Sequence, residues 1–413
     1  MKFPPNRNLN IMAFSMITCL FFFFTACAQQ PSEGGSGISG LPTSVATPQT
    51  NCPAEHVARA AIMPELAAGK KQNLVYVYNH GFTASTLRRY EPATKSKTDI
   101  LSVPNGSIYD AIVSPDGAWV LFSIQMDGQS GSQIQLVRID GLYRQTLSCI
   151  QFIPGQLQFS PDQKMIAFTG EGAGAGIYSL NIATGGPIVT TFGYLHIVDW
   201  ADNTHVYAAS IPHQSVKPPT LMLVDITQAN KTTDMDKPDT ACIQYAFSLD
   251  KKQLFRVTCT LNDANEITGP STISVKPVNG GSFHTIYTVA DGSIGKIHAI
   301  ADKTLLLYGK ALFGRHNETN AGFWKIDTDG RNPTLLLDTG AAQQPDFDGI
   351  AQWSIVSRDG THFAGTVLDA DGVTTKIFVQ LLSSDHSTLD ASIEIASVAS
   401  SAGDISIAGW TTV

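Results

Sequence analysis

The sequence predicts an all-β protein built as a seven-bladed β-propeller of four-stranded antiparallel blades. Three observations lead to this fold. A turn signature with alternating apolar residues on both sides recurs six times, its aspartates stand 40 to 57 residues apart, and strands at the two ends of the chain complete one further unit. Spacing of this size is typical of four-stranded propeller blades, whose closed ring leaves no long sheet edge exposed.

The N-terminus precedes the repeats and predicts an exported protein. Lys2 and Arg7 lie ahead of an apolar run of 14 residues, Ile11 to Phe24, and Thr25-Ala26-Cys27 follows. A basic start, a short apolar segment and a small residue at the break are typical of a secretory signal. The run is shorter than the about 20 residues that a membrane span needs. An uncleaved membrane anchor is the alternative, and it also places the rest of the chain outside the cytoplasm.

The Phe24-Thr25-Ala26-Cys27 segment resembles the lipobox of bacterial lipoproteins, although Phe24 stands where leucine is usual. The resemblance implies that Cys27 carries diacylglycerol on its sulfur and becomes the N-terminus when the signal peptide, residues 1–26, is removed. Residues 28–51 are rich in Gly, Ser, Thr, Pro and Gln, which is typical of a flexible tether. We therefore expect a tether over residues 27–70 and a propeller over residues 71–413.

The recurring turn follows from the chemistry of its residues. The clearest copies are Ile112–Phe122, which reads IVSPDGAWVLF, and Phe159–Phe168, which reads FSPDQKMIAF. Proline presets φ, aspartate suits the next position, and glycine accepts a positive φ, while the alternating apolar residues form the arms of a hairpin. A second turn follows the hairpin, so each unit is expected to hold four strands. Weaker copies centre on four further aspartates: Asp202, Asp250, Asp302 and Asp359.

The two ends of the chain supply the seventh unit. Asn73–Asn79, Thr86–Glu91 and Thr98–Val103 predict three strands, and Asp404–Trp410 predicts one more innermost strand. Pairing of Asp404–Trp410 with Asn73–Asn79 would close the ring. The seven units then average about 49 residues, within the range of propeller blades. Six blades are the alternative.

These repeats resemble the TolB-like propeller family, whose units carry a Phe/Trp-Ser-Pro-Asp-Gly-Lys-x-Ile-Ala-Phe signature. The resemblance covers roughly residues 73–413, and two of the six hairpins fit the signature well. It implies the propeller fold. TolB has an α/β domain ahead of its propeller and is a soluble periplasmic protein, whereas this chain is expected to be lipidated. The role of TolB in the Tol–Pal envelope system is therefore not expected here.

Composition and motifs exclude several classes of function. Charged residues are 15% of the chain and the net charge is −8, without a run of Lys or Arg, so nucleic-acid binding is not expected. No Gly-x-Ser-x-Gly, His-Glu-x-x-His or Cys-x-x-Cys motif occurs, and we predict no catalytic residue, metal or cofactor. Gly170–Gly176 precedes strand-like alternation rather than a helix, so it indicates a connection between strands, not a phosphate loop. Asp327–Gly330 indicates a turn rather than a calcium site.

Four cysteines remain in the expected mature chain besides the lipidated one: Cys52, Cys149, Cys242 and Cys259. An even number in an exported protein is compatible with two disulfides, with buried free thiols as the alternative. Cys242 and Cys259 lie on the arms of one hairpin, where a register symmetric about Asp250 and Lys251 places them opposite each other. We expect a disulfide between them, and the pairing of the other two stays open.

The sequence favours a binding or scaffolding role at an extracytoplasmic membrane face, with a protein or a polar ligand as partner. A propeller enzyme of the lyase, glycosidase or quinoprotein type, with its site at the channel mouth, and an assembly subunit of an envelope machine are the alternatives. Long loops are predicted at Ser210–Pro219, Thr260–Pro270 and Ala311–Asn320, all on one face of the ring. Solvated loops that tolerate insertion are the alternative to a binding role. As a binding site, the loops supply a candidate binding rim: His213, Lys217, Asp263, Glu266, Arg315 and His316.

Overall fold

The computed structural model describes residues 52–53, 66, 69–81, 83–170, 174–210, 219–240, 242–261, 267–290, 292–310, 321–340, 355–368, 373–382 and 392–413. Strands and the turns between them account for nearly all of these residues. Within these ranges, no helix has the length and apolar character needed to cross a membrane.

Blade 1 is made from both ends of the chain and closes the ring. From the channel outward its strands are β27 (Gly403–Thr411), β1 (Asn73–His80), β2 (Ala84–Glu91) and β3 (Ser96–Pro104). β27 and β1 are antiparallel, with Thr411 opposite Asn73 and Gly403 opposite His80. The predicted pairing of the C-terminal strand with the first strand is therefore confirmed.

Blades 2 to 4 follow the chain from the channel outward in four antiparallel strands each. Blade 2 holds β4 (Gly106–Val113), β5 (Trp119–Met126), β6 (Ser132–Arg138) and β7 (Gln145–Ile150). Blade 3 holds β8 (Pro154–Phe159), β9 (Met165–Gly170), β10 (Gly176–Asn181) and β11 (Pro187–Phe192). Blade 4 holds β12 (Leu195–Trp200), β13 (His205–Ser210), β14 (Leu221–Asp225) and β15 (Thr232–Asp236).

Blades 5 to 7 complete the ring. Blade 5 holds β16 (Ile243–Phe247), β17 (Gln253–Leu261), β18 (Ile267–Pro277) and β19 (His284–Val289). Blade 6 holds β20 (Ser293–Ala301), β21 (Thr304–Lys310), β22 (Ala321–Asp327) and β23 (Thr334–Gly340). Blade 7 holds β24 (His362–Leu368), β25 (Thr374–Leu381) and β26 (Ile393–Ala399), with a bridge from Val356 to Phe363 at the place of its inner strand. The predicted seven-bladed fold is confirmed, and the six-bladed alternative is wrong.

The recurring Ser-x-Asp turn joins the first two strands of a blade through a fixed set of hydrogen bonds. In blade 2, Ser114 Oγ donates to Asp116 Oδ1 at 2.5 Å and accepts from Trp119 N at 2.9 Å. Asp116 Oδ1 also accepts from Ala118 N at 3.0 Å. The two side chains satisfy backbone groups at the corner of the hairpin, which explains why the pair recurs in several blades. The same bonds are made by Ser160, Ser248 and Ser357.

The hydrophobic core is divided among the seven gaps between neighbouring blades. Each gap holds one cluster of buried side chains contributed by the two blades that face it. Phe122 is fully buried between blades 1 and 2, and Trp410 of the closing strand is fully buried between blades 7 and 1. Blade angles are therefore set by side-chain packing, because neighbouring blades share no sheet.

Both disulfides lie within the described residues. Cys242 is bonded to Cys259 with a Cα–Cα distance of 5.1 Å, and Ile243 stands opposite Thr258, which is the symmetric register expected from the sequence. Cys52 is bonded to Cys149 on the outer strand of blade 2 with a Cα–Cα distance of 5.6 Å. The sequence left this second pairing open.

Two predicted connections have outcomes in the structure. Gly170 stands opposite Gly176 in an antiparallel pair, so this glycine-rich stretch does connect two strands, as expected. The loop predicted over Thr260–Pro270 is wrong in extent, because β17 and β18 stay paired as far as Leu261 opposite Ile267. This stretch contains several β-branched residues, which favour extended backbone.

Candidate functional site

Antiparallel blades divide their connections between two faces of the ring. Turns between the first and second strands, and between the third and fourth, lie on one face, which we call the turn face. Connections between the second and third strands, and from each blade to the next, lie on the opposite face, which we call the rim face. Of the long predicted loops, residues 211–218, 262–266 and 311–320 lie outside the described part of the chain.

Arg358, in the turn of blade 7, joins three blades on the turn face. Its Nε donates to Trp410 O at 3.0 Å, Nη2 donates to Ser114 O at 2.6 Å, and Nη1 donates to Pro115 O. The guanidinium thus crosses the closing strand of blade 1 and reaches the turn of blade 2. Burial lowers the pKa of Arg358, and nearby Asp116 acts in the opposite direction. Arg358 therefore fastens the point where the ring closes.

Two further turns place a long side chain where the signature has glycine. Gln163 and Lys251 have φ of 59° and 57°, the left-handed conformation that Gly117 adopts in blade 2. For residues other than glycine this conformation costs about 1–2 kcal/mol. Lys251 Nζ donates to Asp199 Oδ2 of blade 4, and the Gln163 amide lies 3.1 Å from Asp116 Oδ1 of blade 2, to which it can donate. Each side chain contacts the preceding blade, and this contact offsets the cost.

The inner strands carry half-buried polar side chains four residues before the turn serine, and two of them bond to the next blade. Asp110 Oδ2 of blade 2 accepts from Leu157 N of blade 3 at 2.6 Å. Gln156 Oε1 of blade 3 accepts from Ile197 N of blade 4 at 2.8 Å. Burial raises the pKa of Asp110 to about 6, and the hydrogen bonds from Leu157 N and Ala111 N offset only part of this.

A cavity of about 40 Å³ lies against the inner strands of blades 4 to 7. Burial raises the pKa of Asp199 at its wall, and the attached Lys251 ammonium partly offsets the effect. The volume suits a few water molecules. Within the described ranges, no group of three or more His, Cys, Asp and Glu side chains is placed to hold a metal ion. The polar lining residues are Asp199, Tyr245, Lys251 and His298.

The predicted site residues lie mostly outside the described part of the chain. This holds for the lipid attachment residue Cys27 and for the whole candidate binding rim: His213, Lys217, Asp263, Glu266, Arg315 and His316. Of the predicted site residues, only Cys242 and Cys259 lie within it.

Four exposed apolar side chains on the rim-face side of blades 2 to 4 were not predicted from the sequence. We call this group the rim patch, and its exposed fractions are 43% for Tyr109, 39% for Ile153, 69% for Phe192 and 40% for Tyr194. Phe192 and Tyr194 flank Gly193 in a connection between blades, which was the available signal. Tyr109 follows strand alternation in the sequence and gave no signal, because a bulge beside it in β4 shifts the pairing register.

Comparison with solved structures supports the propeller fold. The propeller domain of the Trilobed protease from Pyrococcus furiosus matches with a TM-score of 0.53 and 10% identity, over 80% of this chain and 93% of that chain. Periplasmic gluconolactonase PpgL from Pseudomonas aeruginosa matches with a TM-score of 0.51 and 12% identity, over 81% of this chain and 99% of that chain. The P. furiosus domain has an open velcro topology, whereas here β27 closes the ring.

TolB from Acinetobacter baumannii also matches, with a TM-score of 0.43 and 15% identity over 65% of this chain. The match spans 63% of the length of that TolB, and similarity of this degree carries no argument about function. No protein-family model matches the chain, and no curated protein matches it by sequence. Identities this low show the fold alone: the chain is a seven-bladed β-propeller.

Proposed function

We propose that this protein is a lipid-anchored propeller on an extracytoplasmic membrane face, where it binds a protein or a polar ligand. The Cys52–Cys149 disulfide is the observation that carries the proposal. Disulfides persist in oxidising compartments outside the cytoplasm, which agrees with the signal-like N-terminus. The bond also attaches Cys52, within the stretch expected to form the tether, to the outer strand of blade 2.

The tether length is compatible with a membrane-bound propeller. Cys27 and Cys52 enclose 24 residues rich in Gly, Ser, Thr, Pro and Gln. A flexible chain of this length spans roughly 25–30 Å on average and at most roughly 90 Å. The propeller would therefore stay near the bilayer with both of its faces accessible to partners.

The binding role is supported by the way the two faces are built. Side chains join neighbouring blades on the turn face, where Arg358 and Lys251 contact other blades. Binding usually resides in irregular connections held by a rigid scaffold of this kind. We propose that the connections of the rim face, including those that carry the candidate binding rim, meet the partner.

Anchoring is tested by replacing the lipidated cysteine. Cys27→Ala should leave the protein unprocessed or release it from membranes, because no thiol remains for the lipid. Cys19→Ala, inside the apolar run, is the matched control and should fractionate with membranes like the wild type. A Cys27→Ala protein that still fractionates with membranes at mature size would contradict the anchor.

Partner binding is tested by pull-down from native membranes followed by mass spectrometry. Each of the three predicted loops is shortened in turn to a glycine-containing turn, and folding is checked by thermal melting. We expect at least one shortened variant to melt normally and to lose a partner that the wild type recovers. Identical partners recovered by all three folded variants would exclude these loops.

A further inference from the structure

Three residues of the rim patch, Ile153, Phe192 and Tyr194, lie beside the connection between β9 and β10 of blade 3. Phe152, the residue before Ile153, packs its ring against Gly174. A Cβ built on Gly174 would lie 3.0 Å from Cδ1 of that ring. Gly193 N donates to Ala175 O at 3.1 Å, so the Phe192–Tyr194 connection bonds to the residue after Gly174. Ile153, Phe192 and Tyr194 are thus each adjacent in sequence to a residue that contacts one short segment, residues 174–175.

The remaining member of the rim patch, Tyr109, lies on the inner strand β4 of blade 2, and bonds between inner strands join blades 2, 3 and 4. Gln156 of β8 bonds to Ile197 of β12, and Asp110 of β4 bonds to Leu157 of β8. Tyr109, beside Asp110, is 43% exposed and donates from its hydroxyl to Gln125 Oε1 at 2.9 Å. Exposed apolar and aromatic side chains grouped in this way are typical of interaction sites.

The described charged side chains on the rim face of blades 1 and 2 are acidic. Asp127, exposed on the connection that follows β5, is held by a bond from its backbone N to Asn105 O at 2.9 Å. Half-buried Asp110 stands on β4, and exposed Asp404 follows Gly403, the first residue of β27, on the same face. Among the described rim-face connections from blade 1 to the start of blade 4, none carries Lys or Arg. The whole chain is also acidic, with a net charge of −8.

We propose that the rim patch binds a segment of a partner protein in which apolar side chains alternate with Lys or Arg. The apolar side chains would bury Phe192, Tyr194 and Ile153, and the basic groups would meet Asp127, Asp110 and Asp404. Cations also bind favourably over the faces of tyrosine and phenylalanine rings. This inference rests on the proposed binding role and names the surface and the partner chemistry that would serve it.

The test uses a labelled peptide of alternating Arg and Leu, with the Glu and Leu counterpart as the charge control. Both are titrated by fluorescence anisotropy into the full-length protein in non-ionic detergent, with empty micelles as the blank. The rim-face variant is Phe192→Ser with Tyr194→Ser. The matched control is Leu142→Ser with Tyr143→Ser, since these side chains are exposed by 47% and 45% on the turn face.

We expect the Arg peptide to bind at least ten-fold more tightly than the Glu peptide, and its affinity to fall as salt is added. The rim-face variant should weaken binding at least ten-fold, Asp127→Asn should weaken it to a smaller extent, and the turn-face variant should bind like the wild type. Equal binding of both peptides, equal loss in both double variants, or no binding at millimolar protein would overturn the proposal. None of these outcomes depends on Cys27, so anchoring is judged separately by fractionation.

Discussion

Single side chains hold neighbouring blades together at points that no backbone ladder reaches. Arg358, Lys251 and Gln163 start from equivalent turns, and each extends to another blade. The latter two occupy a backbone conformation that disfavours them. The contacts that Lys251 and Gln163 make with other blades explain why these two positions hold a long side chain instead of glycine.

Arg358→Ala should destabilise the protein strongly. It removes three hydrogen bonds from a charged, half-buried group and leaves the carbonyls of Ser114, Pro115 and Trp410 without that donor. We expect the free energy of unfolding in urea to fall by about 2–4 kcal/mol. Arg331→Ala is the matched control, because Arg331 is 80% exposed in a turn of blade 6. Equal stabilities of the two variants would show that Arg358 does not fasten the ring.

Asp110→Asn should change the pH dependence of stability. The folded-state pKa of Asp110 is about 6, above its ordinary 3.8, so the folded protein binds the proton more tightly than the unfolded chain does. The ionised carboxylate therefore lowers stability above about pH 6, and this cost disappears as the pH falls towards 3.8. Asparagine removes the charge while its Oδ1 can still accept from Leu157 N.

Urea unfolding of wild type and Asp110→Asn at pH 8 and pH 4.5 measures this effect. The free energy of unfolding of Asp110→Asn should exceed that of the wild type by more at pH 8 than at pH 4.5. Asp250→Asn is the contrasting control, since hydrogen bonds from Ser248 and Lys252 lower the pKa of Asp250 to about 2. The free energy of unfolding of Asp250→Asn should lie below that of the wild type by the same amount at pH 8 and at pH 4.5. A constant difference for Asp110→Asn as well would contradict the raised pKa.

At the scale of strands and turns, the sequence predicted those elements whose own residues carry the signal, such as a turn pair or an alternation of apolar residues. The Ser-x-Asp corners repeat because the side chains of Ser114 and Asp116 bond within the corner itself. β27 was predicted because the alternation of Ile405 and Ile407 ahead of Trp410 matches the other inner strands. Bulges in β4, β8 and β12 were not predicted, since they shift the register of each inner strand without a distinct residue signal.

Deleting residues 403–413 should open the ring. The closing strand buries Ile405, Ala408 and Trp410 to an exposure of 3% or less, and its loss leaves β1 as an unpaired inner edge. Removing several buried apolar side chains costs several kcal/mol, and the exposed edge promotes association between chains. The truncated protein should aggregate or melt far below the wild type in thermal scans. Unchanged melting of a monomeric truncation would contradict closure by β27.

At the scale of the whole molecule, the ring supplies a rigid body with two unlike faces. The fold was predictable because each copy of the turn signature indicates the same four-stranded unit, and the copies agree with one another. The rim patch was not predictable, because it depends on which connections of blades 2 to 4 come together and on which of their side chains stay exposed. Tyr109 and Asp110, for example, are adjacent in a strand whose bulge only the folded ring shows.

The anchor and the two disulfides together define the proposed place of this propeller in the cell. One measurement tests them together: the intact mass and N-terminal peptide of the full-length gene product, extracted from native membranes and alkylated without reductant. We expect a chain that begins at acylated Cys27, with the four other cysteines unlabelled: Cys52, Cys149, Cys242 and Cys259. A chain that retains residues 1–26, or that carries label on Cys27 or on these four thiols, would contradict it.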